Sequence, residues 1–299
     1  MNAIVGPLVS VVIPTYNHAH FLGRALQSVL DQTYTHWEVI VVDNHSTDNT
    51  DEVMQKFIDS RITFLKIHNN GVIAASRNVG IRAAKGEWIT FLDSDDWWVP
   101  EKLQACRELM TDDVDLIYHA LEIVRDHPAL FKRKTIKSWQ VKTPVLIDLM
   151  VRGNAIATSS VVVKKCLLDQ VDGMTENPDM VATEDYNTWL RIAKLTDRFK
   201  FLPESLGFYR LHNQGASQKD MSVPARHAAS EFIHLLNEQQ ETKIESAFRY
   251  TKGRFNYLAG DYAGAKKDLL FSLKHGGFVI KLKSGWMYFV ALVRTQFLG

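Results

Sequence analysis

Apolar residues in roughly the first third of the chain follow two alternating patterns. Continuous runs rich in β-branched residues predict strands at residues 8–15, 37–43, 62–67 and 88–93. Between these runs, apolar residues recur at helical spacing and predict helices at residues 21–30, 50–58 and 73–84. Strands that alternate with helices build a mostly parallel sheet with helices on both faces. The pattern therefore predicts the α/β fold class.

The pattern becomes less regular after about residue 112. Further strands are predicted at residues 114–119 and 158–163, a helix at 184–195, and two short apolar runs around Pro203. From residue 225 to residue 275 the composition is helical, and Gly260-Asp261 joins two amphipathic stretches like one helical-repeat hairpin. We predict one domain at residues 1–222, with halves at about 8–112 and 113–222, and a C-terminal α-helical region at 223–299.

The composition is that of an ordinary folded protein. The 299 residues are 46% hydrophobic and 23% charged. Lys and Arg number 35 against 34 acidic residues, so the net charge of +1 gives no indication of a nucleic-acid partner. Cys106 and Cys166 show no CxxC spacing, which argues against a disulfide framework or a zinc site and favours a reducing cytoplasm.

Neither export nor membrane spanning is expected from the sequence. Residues 1–7 lack the basic start and apolar core of a signal peptide. No uninterrupted apolar run approaches the ~20 residues of a membrane-spanning helix.

The fourth predicted strand runs directly into three carboxylates, Asp93, Asp95 and Asp96. Like charges this close destabilise one another unless a cation or several hydrogen-bond donors neutralise them. Mg²⁺ and Mn²⁺ suit such an oxygen site and also hold phosphate oxygens. The alternative is a polar loop that caps a helix beginning near Pro100.

In open α/β sheets, ligands lie beyond the carboxyl ends of the strands. The polar residues that follow the predicted strands are therefore expected to line one crevice. They are Thr15, Tyr16, Asn17, Asp43, Asn44, Asn69, Asn70 and the residues 93–96.

Four segments in order carry a resemblance to a known family. They are Ser10-Val-Val-Ile-Pro-Thr-Tyr-Asn17, Val41-Val-Asp-Asn44, Asn78-Val-Gly-Ile-Arg-Ala-Ala-Lys-Gly86 and Phe91-Leu-Asp-Ser-Asp-Asp96. Together they resemble the family 2 glycosyltransferases, over residues 8–217. The resemblance implies a GT-A fold, which is Rossmann-like, and an inverting transfer from a nucleotide-sugar donor.

The resemblance implies a nucleotide site at the first two strand ends. Thr15 and Tyr16 are expected beside the base, and Asp43 is expected to accept its ring N–H. For Tyr16 the alternative is packing under the sheet edge. Asp48 is the better helix cap, which leaves Asp43 without that duty. Arg77 is expected near the nucleotide, with a salt bridge to a neighbouring acid as the alternative.

The family's DXD element corresponds to Asp93-Ser94-Asp95. On that resemblance Asp93 and Ser94 belong to the nucleotide site, where Asp93 contacts the ribose or the metal. Asp95 coordinates Mn²⁺ or Mg²⁺, and Asp96 is structural. The segment Tyr209-Arg-Leu-His212 resembles a further family element.

Two residues of that further element have implied roles. His212 is expected to be a third metal ligand or a donor to the diphosphate, with satisfied packing as its alternative. Arg210 is expected to bind the diphosphate.

The segment Thr183-Glu-Asp-Tyr-Asn-Thr-Trp-Leu-Arg191 matches the family's Glu-Asp element. Asp185 is implied as the general base and Glu184 as the residue that orients it or touches the acceptor. The alternative is that both only complement a helix N-terminus. The segment 172–177 departs from the family's Gly-Gly-Phe-Asp pattern, so the acceptor cannot be transferred from relatives.

The sequence thus predicts a transferase that moves a sugar from a nucleotide-diphosphate donor, with a UDP-sugar preferred. The acceptor is a glycan or lipid-linked glycan at a bacterial-type surface. Two other classes remain. A sugar nucleotidyltransferase would need a Gly-rich basic loop that Pro14-Thr-Tyr-Asn17 lacks, and a non-catalytic scaffold would not need the full carboxylate set.

Residues 278–298 mix aromatic and aliphatic residues with Lys281, Lys283 and Arg294. Such a stretch suits a bilayer surface at the inner face of the cell membrane. The alternatives are a final helix packed on the preceding hairpin and a contact in a homo-oligomer.

Overall fold

The computed structural model describes residues 6–125, 134–211 and 219–297. Contacts within the chain divide it into two compact units. The first comprises Met1–Val145 and Ala155–His212, and the second comprises Leu146–Asn154 and Asn213–Gly299. The domain boundary at residue 222 and the two halves of the first domain stay predictions.

Within the described residues, one mixed sheet of nine strands forms the centre of the first unit. The strands are β1 (Val9–Thr15), β2 (Trp37–Asp43), β3 (Ile62–Lys66), β4 (Trp88–Phe91), β5 (Trp97–Trp98), β6 (Leu116–Arg125), β7 (Lys134–Thr135), β8 (Val162–Lys164) and β9 (Phe199–Leu211). Their order across the sheet is β3-β2-β1-β4-β8-β6-β9-β5, and β7 pairs with β6.

The first four strands in this order are parallel to one another. Strand β8 is antiparallel to both β4 and β6, whereas β6 and β9 are parallel. The predicted α/β fold class is confirmed, and its four consecutive parallel strands, β1 to β4, lie in the first third of the chain.

The register of the parallel strands aligns their carboxyl ends. Thr15 at the end of β1 lies opposite Asp43 at the end of β2, and Asp43 lies opposite Lys66 at the end of β3. The loops that follow these strands therefore leave the sheet at one edge, where ligands bind in open α/β sheets.

The helices from the first to the seventh are α1 (Ala19–Leu30), α2 (Thr50–Met54), α3 (Ile73–Ala83), α4 (Lys102–Arg107), α5 (Val145–Arg152), α6 (Lys165–Gln170) and α7 (Glu184–Ala193). Helix α1 buries Leu22, Leu26 and Val29 in the core cluster that includes β1 and β2. Helix α3 approaches β1 so closely at Gly80 that a Cβ there would collide with Val12. Close packing fixes both helices against the parallel strands.

The second unit is helical where it is described. After α5 it contains α8 (Ser222–Ser230), α9 (Glu238–Leu258), α10 (Tyr262–His275) and α11 (Phe278–Phe297). Asn237 begins α9 with a capping box. Gly260 adopts φ +81° in the turn before α10, a conformation that favours glycine. The predicted helical region and its turn at Gly260-Asp261 are confirmed.

Several predicted element bounds differ from the structure. The predicted strand at 158–163 is a 3₁₀ turn at Thr158–Ser160 followed by β8. The two runs around Pro203 form one strand, β9, whose register against β6 shifts beside residue 120. The predicted helix at 50–58 ends at Met54. Within the described residues, no helix is both long and apolar enough to cross a bilayer.

Candidate active site

The ends of β1 and β2 place Thr15 and Asp43 side by side. Asp43 is fully buried, and Ser46 donates to it through its backbone N–H at 3.1 Å and through its hydroxyl. The Lys66 Nζ lies 4.0 Å from an Asp43 oxygen. The Thr15 hydroxyl is buried without a hydrogen-bond partner among the described residues. The Tyr16 ring is 52% exposed and is therefore open to stacking rather than packed under the sheet.

The loops after β1 and β2 are tied to each other. Asn17, at φ +52°, donates its N–H to the Ser46 hydroxyl at 2.8 Å and accepts from the Thr47 N–H at 2.8 Å. Asp48 accepts from the Ala19 N–H at 2.9 Å, at the start of α1, and from the backbone at the start of α2. Asp48 thus serves the helix starts, as predicted, and Asp43 does not.

The loop after β4 is held by side chains from elsewhere in the first unit. Asp93 donates its N–H to the Ser159 hydroxyl at 3.1 Å. The Ser94 hydroxyl lies 2.8 Å from His18 Nδ1, and Ser94 is buried. The first contact holds the backbone at Asp93 and the second holds the Ser94 side chain, while the Asp93 side chain stays 27% exposed.

Asp96 differs from its two acidic neighbours. It is fully buried, and its Oδ1 accepts the Arg210 N–H at 2.9 Å. Burial, together with the charges of Asp95 and Asp93, raises the pKa of Asp96 well above its usual value. Asp96 is thus hydrogen-bonded to the backbone of β9, while Asp93 and Asp95 are the partly exposed carboxylates of this loop. A structural role for Asp96 stays a prediction.

Arg77 on α3 joins two predicted parts of the site. Its guanidinium donates to Asp93 Oδ1 at 2.7 Å and to Glu184 Oε1 at 2.6 Å, and the residue is only 3% exposed. Burial alone would lower the Arg77 pKa, but Asp93 and Glu184 outweigh it and hold the pKa above its ordinary value. The salt bridge left open from the sequence is the geometry observed, and a role for Arg77 at the nucleotide stays a prediction.

Asp185 lies at the start of α7, next to this ion-pair cluster. It accepts from the Thr158 hydroxyl at 2.8 Å and from the Tyr186 N–H at 2.6 Å. Burial and the adjacent Glu184 carboxylate raise the pKa of Asp185 to about 7, against the opposing effects of Thr158 and Arg77. A carboxylate with a pKa near neutrality is suited to general base catalysis.

Arg210 lies next to the last residue of β9. The Arg210 guanidinium lies 4.3 Å from the centre of the Phe21 ring on α1. This places its charge beside α1, and its role at the diphosphate stays a prediction. His212 lies outside the described residues.

The carboxylates after β4 fit a divalent ion only if a bound substrate supplies further oxygen atoms to it. In the described part of the chain, no three His, Cys, Asp or Glu side chains form a group that could hold a metal. Asp93 already gives one oxygen to Arg77. Mg²⁺ and Mn²⁺ are commonly bound by one or two carboxylates with water and substrate phosphates, and Asp95 with Asp93 matches that donor set.

Sequence reasoning gave no individual role to several residues that the fold brings to this region. They are His18 and Ser159, which hold the DXD loop, and Thr158, which donates to Asp185. The exposed rings of His45 and His68 also stack at 3.7 Å between centres after β2 and β3. Each of these pairs forms only when separate segments meet, so no local pattern signals it.

The chain is similar to proteins of one known family. The model of the family described as glycosyl transferase family 2 matches residues 10–159. The UDP-Glc:α-D-GlcNAc-diphosphoundecaprenol β-1,3-glucosyltransferase WfgD of Escherichia coli is 32% identical over 188 residues, which cover 62% of this chain and 70% of WfgD.

Two solved structures share the fold. S. aureus TarS 1–349 in complex with UDP-GlcNAc aligns with a TM-score of 0.65 at 19% identity, over 89% of this chain and 79% of TarS. The mannosyltransferase PcManGT from Pyrobaculum calidifontis, in complex with GDP-Man and Mn²⁺, aligns with a TM-score of 0.55 at 18% identity, over 98% and 88% of the two chains. These likenesses confirm the predicted GT-A fold. With the family model spanning half of its length, the chain belongs to glycosyl transferase family 2 and is a glycosyltransferase.

Proposed function

We propose that the protein is an inverting, metal-dependent glycosyltransferase that uses a nucleotide diphosphate sugar, with UDP as the preferred nucleotide. Its acceptor is a hydroxyl of a glycan or a lipid-linked glycan in surface polysaccharide biosynthesis. The relative WfgD, which is named for UDP-Glc and a diphosphoundecaprenol-linked acceptor, supports this choice of substrates.

The observation that carries the proposal is the bridge made by Arg77. Its guanidinium binds Asp93 at 2.7 Å and Glu184 at 2.6 Å, and Asp185 follows Glu184. The carboxylates proposed for the donor and those proposed for the acceptor are therefore joined through one buried residue. A transferase needs both sets within the length of one sugar, because the acceptor oxygen must reach the anomeric carbon.

The donor nucleotide occupies the edge formed by β1, β2 and their loops. Asp43 accepts the imide N–H of the uracil, Thr15 lies beside the base, and Tyr16 offers its exposed ring for stacking. The buried Thr15 hydroxyl, which has no partner among the described residues, supports a ligand contact there. Asp93 and Ser94 continue the nucleotide site.

A divalent ion, Mn²⁺ or Mg²⁺, would be held by Asp95 with Asp93 and the donor phosphates, and His212 is proposed as a further ligand. When bound, such an ion supplies stabilisation of the negative charge on the departing diphosphate. Arg210 is proposed to bind the same diphosphate. The Mn²⁺ in the PcManGT complex supports a metal in this fold.

Asp185 performs the proton transfer. The acceptor hydroxyl gives its proton to the Asp185 carboxylate while the hydroxyl oxygen bonds to the anomeric carbon. The bond from that carbon to the diphosphate oxygen breaks, and the nucleoside diphosphate leaves with the electron pair. Glu184, fixed by Arg77, orients the base. A single in-line displacement inverts the anomeric centre, so an α-linked donor gives a β-linked product.

The test is calorimetric titration of UDP, GDP, dTDP and ADP into the protein, with manganese and with a chelator. Manganese-dependent UDP binding that Asp95→Asn abolishes is the expected result. Asp113→Asn, which changes an exposed carboxylate outside the site, is the matched control and is expected to bind UDP normally.

Two results would overturn parts of the proposal. The absence of binding by any nucleotide would favour a non-catalytic scaffold. A product whose anomeric configuration is retained, seen in the NMR coupling of the anomeric proton, would remove the inverting mechanism while leaving the donor site intact.

A further inference from the structure

Helix α11 exposes a continuous apolar stripe. Its exposed large side chains include Phe278 at 78%, Leu282 at 61%, Trp286 at 63%, Phe289 at 65% and Val293 at 40%. Their spacing of three or four residues places them on one face of the helix.

The opposite face of α11 is already used inside the second unit. Ser284 and Ala291 are fully buried and Met287 is 8% exposed. Met287 belongs to the small core cluster with Ala265 and Leu269 of α10. One face of the helix therefore packs within the second unit, and the apolar stripe lies on the opposite, exposed face. A contiguous exposed apolar patch of this kind marks an interaction surface.

The charges beside the stripe indicate what covers it. Lys281 lies on one side of the stripe and Lys283 and Arg294 lie on the other, by the rotation of the helix. Lys281, Lys283 and Arg294 are exposed. From residue 269 to the last residue the sequence contains no Asp or Glu. The exposed face of α11 is therefore apolar along its centre, and the charged residues that α11 itself places beside the stripe are all basic.

A second copy of the chain is a poor partner for this surface. Two stripes placed face to face would bring basic edges together, and α11 has no acidic residue to pair with them. Like charges across an interface oppose association. An anionic bilayer instead meets both requirements, because the apolar side chains enter the acyl boundary while Lys and Arg reach the phosphates.

We propose that α11 is a membrane-surface helix that binds the anionic headgroup region of a bilayer with the stripe from Phe278 to Val293. Trp286 and Phe289 lie at the centre of the contact, and Lys281, Lys283 and Arg294 bind lipid phosphates. The proposal rests on the proposed function, because a lipid-linked acceptor is presented at such a surface.

The experiment is co-sedimentation of the full chain with vesicles. One set contains phosphatidylglycerol mixed with phosphatidylcholine, and the other contains phosphatidylcholine alone. The wild-type protein is expected to bind the anionic vesicles and to be released by salt. Replacing Lys281, Lys283 and Arg294 with Gln is expected to weaken binding on the order of 100-fold, because each basic residue contributes about fivefold.

A second variant tests the stripe. Trp286→Ser with Phe289→Ser is expected to weaken binding about tenfold or more, because two aromatic anchors are lost. Both side chains are mostly exposed, so the thermal unfolding transition of the double variant is expected to match that of the wild-type protein. Ile58→Ser, at a residue 95% exposed in the first unit, is the matched apolar control. Gln at the exposed residues Lys56, Lys85 and Lys200 is the matched charge control.

Failure of this inference is distinguishable from failure of the proposed function. Equal binding by the stripe variant and the wild type, or no binding by the wild type, would overturn the inference. UDP titration of the same preparations reports the donor site separately. A dimer in light scattering that the stripe variant abolishes, without vesicle binding, would identify a second copy as the occupant instead.

Discussion

The Thr158 hydroxyl donates a hydrogen bond to Asp185. Removing this hydroxyl is expected to move the acid limb of the pH–rate profile to higher pH. The bond is 2.8 Å from the Thr158 oxygen to Asp185 Oδ2, and it stabilises the ionised carboxylate. Thr158→Val removes the donor while keeping nearly the same shape. The base then holds its proton more tightly and is ionised only at higher pH.

The size of the effect follows from this single bond. A hydrogen bond to a charged group contributes about 1.5–3 kcal/mol. One pH unit in a pKa corresponds to about 1.4 kcal/mol, so the substitution is expected to raise the pKa of Asp185 by about 1 to 2. Starting from about 7 in the wild type, the acid limb would move to about 8 or 9.

The assay is the release of UDP from a UDP-sugar donor in the presence of acceptor, followed across pH. The pH dependence of kcat/KM reports the base of the free enzyme. Well above the shifted pKa, kcat/KM of Thr158→Val is expected to approach the wild-type value. Thr158→Ser keeps a hydroxyl and is expected to restore the wild-type profile.

Thr188→Val is the matched control for this experiment. Thr188 is also buried, but its hydroxyl donates to the Glu184 backbone carbonyl at 2.7 Å and not to a carboxylate. The acid limb of the kcat/KM profile of Thr188→Val is expected to stay at the wild-type pH. An unchanged limb in Thr158→Val, or an equal movement in both variants, would refute the assignment of that limb to Asp185.

Two further predictions concern stability. Arg77→Met leaves Asp93 and Glu184 without their shared guanidinium and is expected to lower the free energy of unfolding by about 3–5 kcal/mol in urea titrations. Arg82→Met, at an exposed position of the same helix, is the control. An equal loss of stability in Arg82→Met would contradict the reasoning. Lys102 is fully buried, donates to the Thr90 hydroxyl at 2.6 Å and has its pKa lowered by burial to about 7. Because the unfolded chain binds that proton more tightly, the free energy of unfolding is expected to fall as pH drops from about 10 through about 7. Lys102→Met is expected to flatten this dependence, and an unchanged slope in the variant would exclude Lys102 as its source.

Much of the architecture follows from local sequence alone. The β-branched runs and the helical spacing of apolar residues placed β1 to β4 and α1 to α3 within a few residues of their observed bounds. The turn at Gly260 was equally local, since the left-handed conformation there favours glycine. Since carboxyl ends of parallel strands meet at one edge, the sequence also placed Thr15 and Asp43 together. These features depend on neighbours in the chain or on a general rule of sheet geometry.

Side-chain environments were decided only by tertiary structure. Arg77 meets Glu184 across 107 positions of sequence, and the raised pKa of Asp185 arises from burial, which no local pattern contains. In α11 the buried face carries Ser284 and Ala291 while Trp286 and Phe289 are exposed, the reverse of what hydrophobicity alone predicts. Met287, between Ser284 and Ala291, packs with Ala265 and Leu269 of α10, so packing, rather than apolar character alone, determined which face is buried. The sequence by itself thus determined the elements and the strand edge of the site. Contacts between distant segments decided that Asp93 and Glu184 pair with Arg77 and that the pKa of Asp185 is raised. They also decided which face of α11 is exposed.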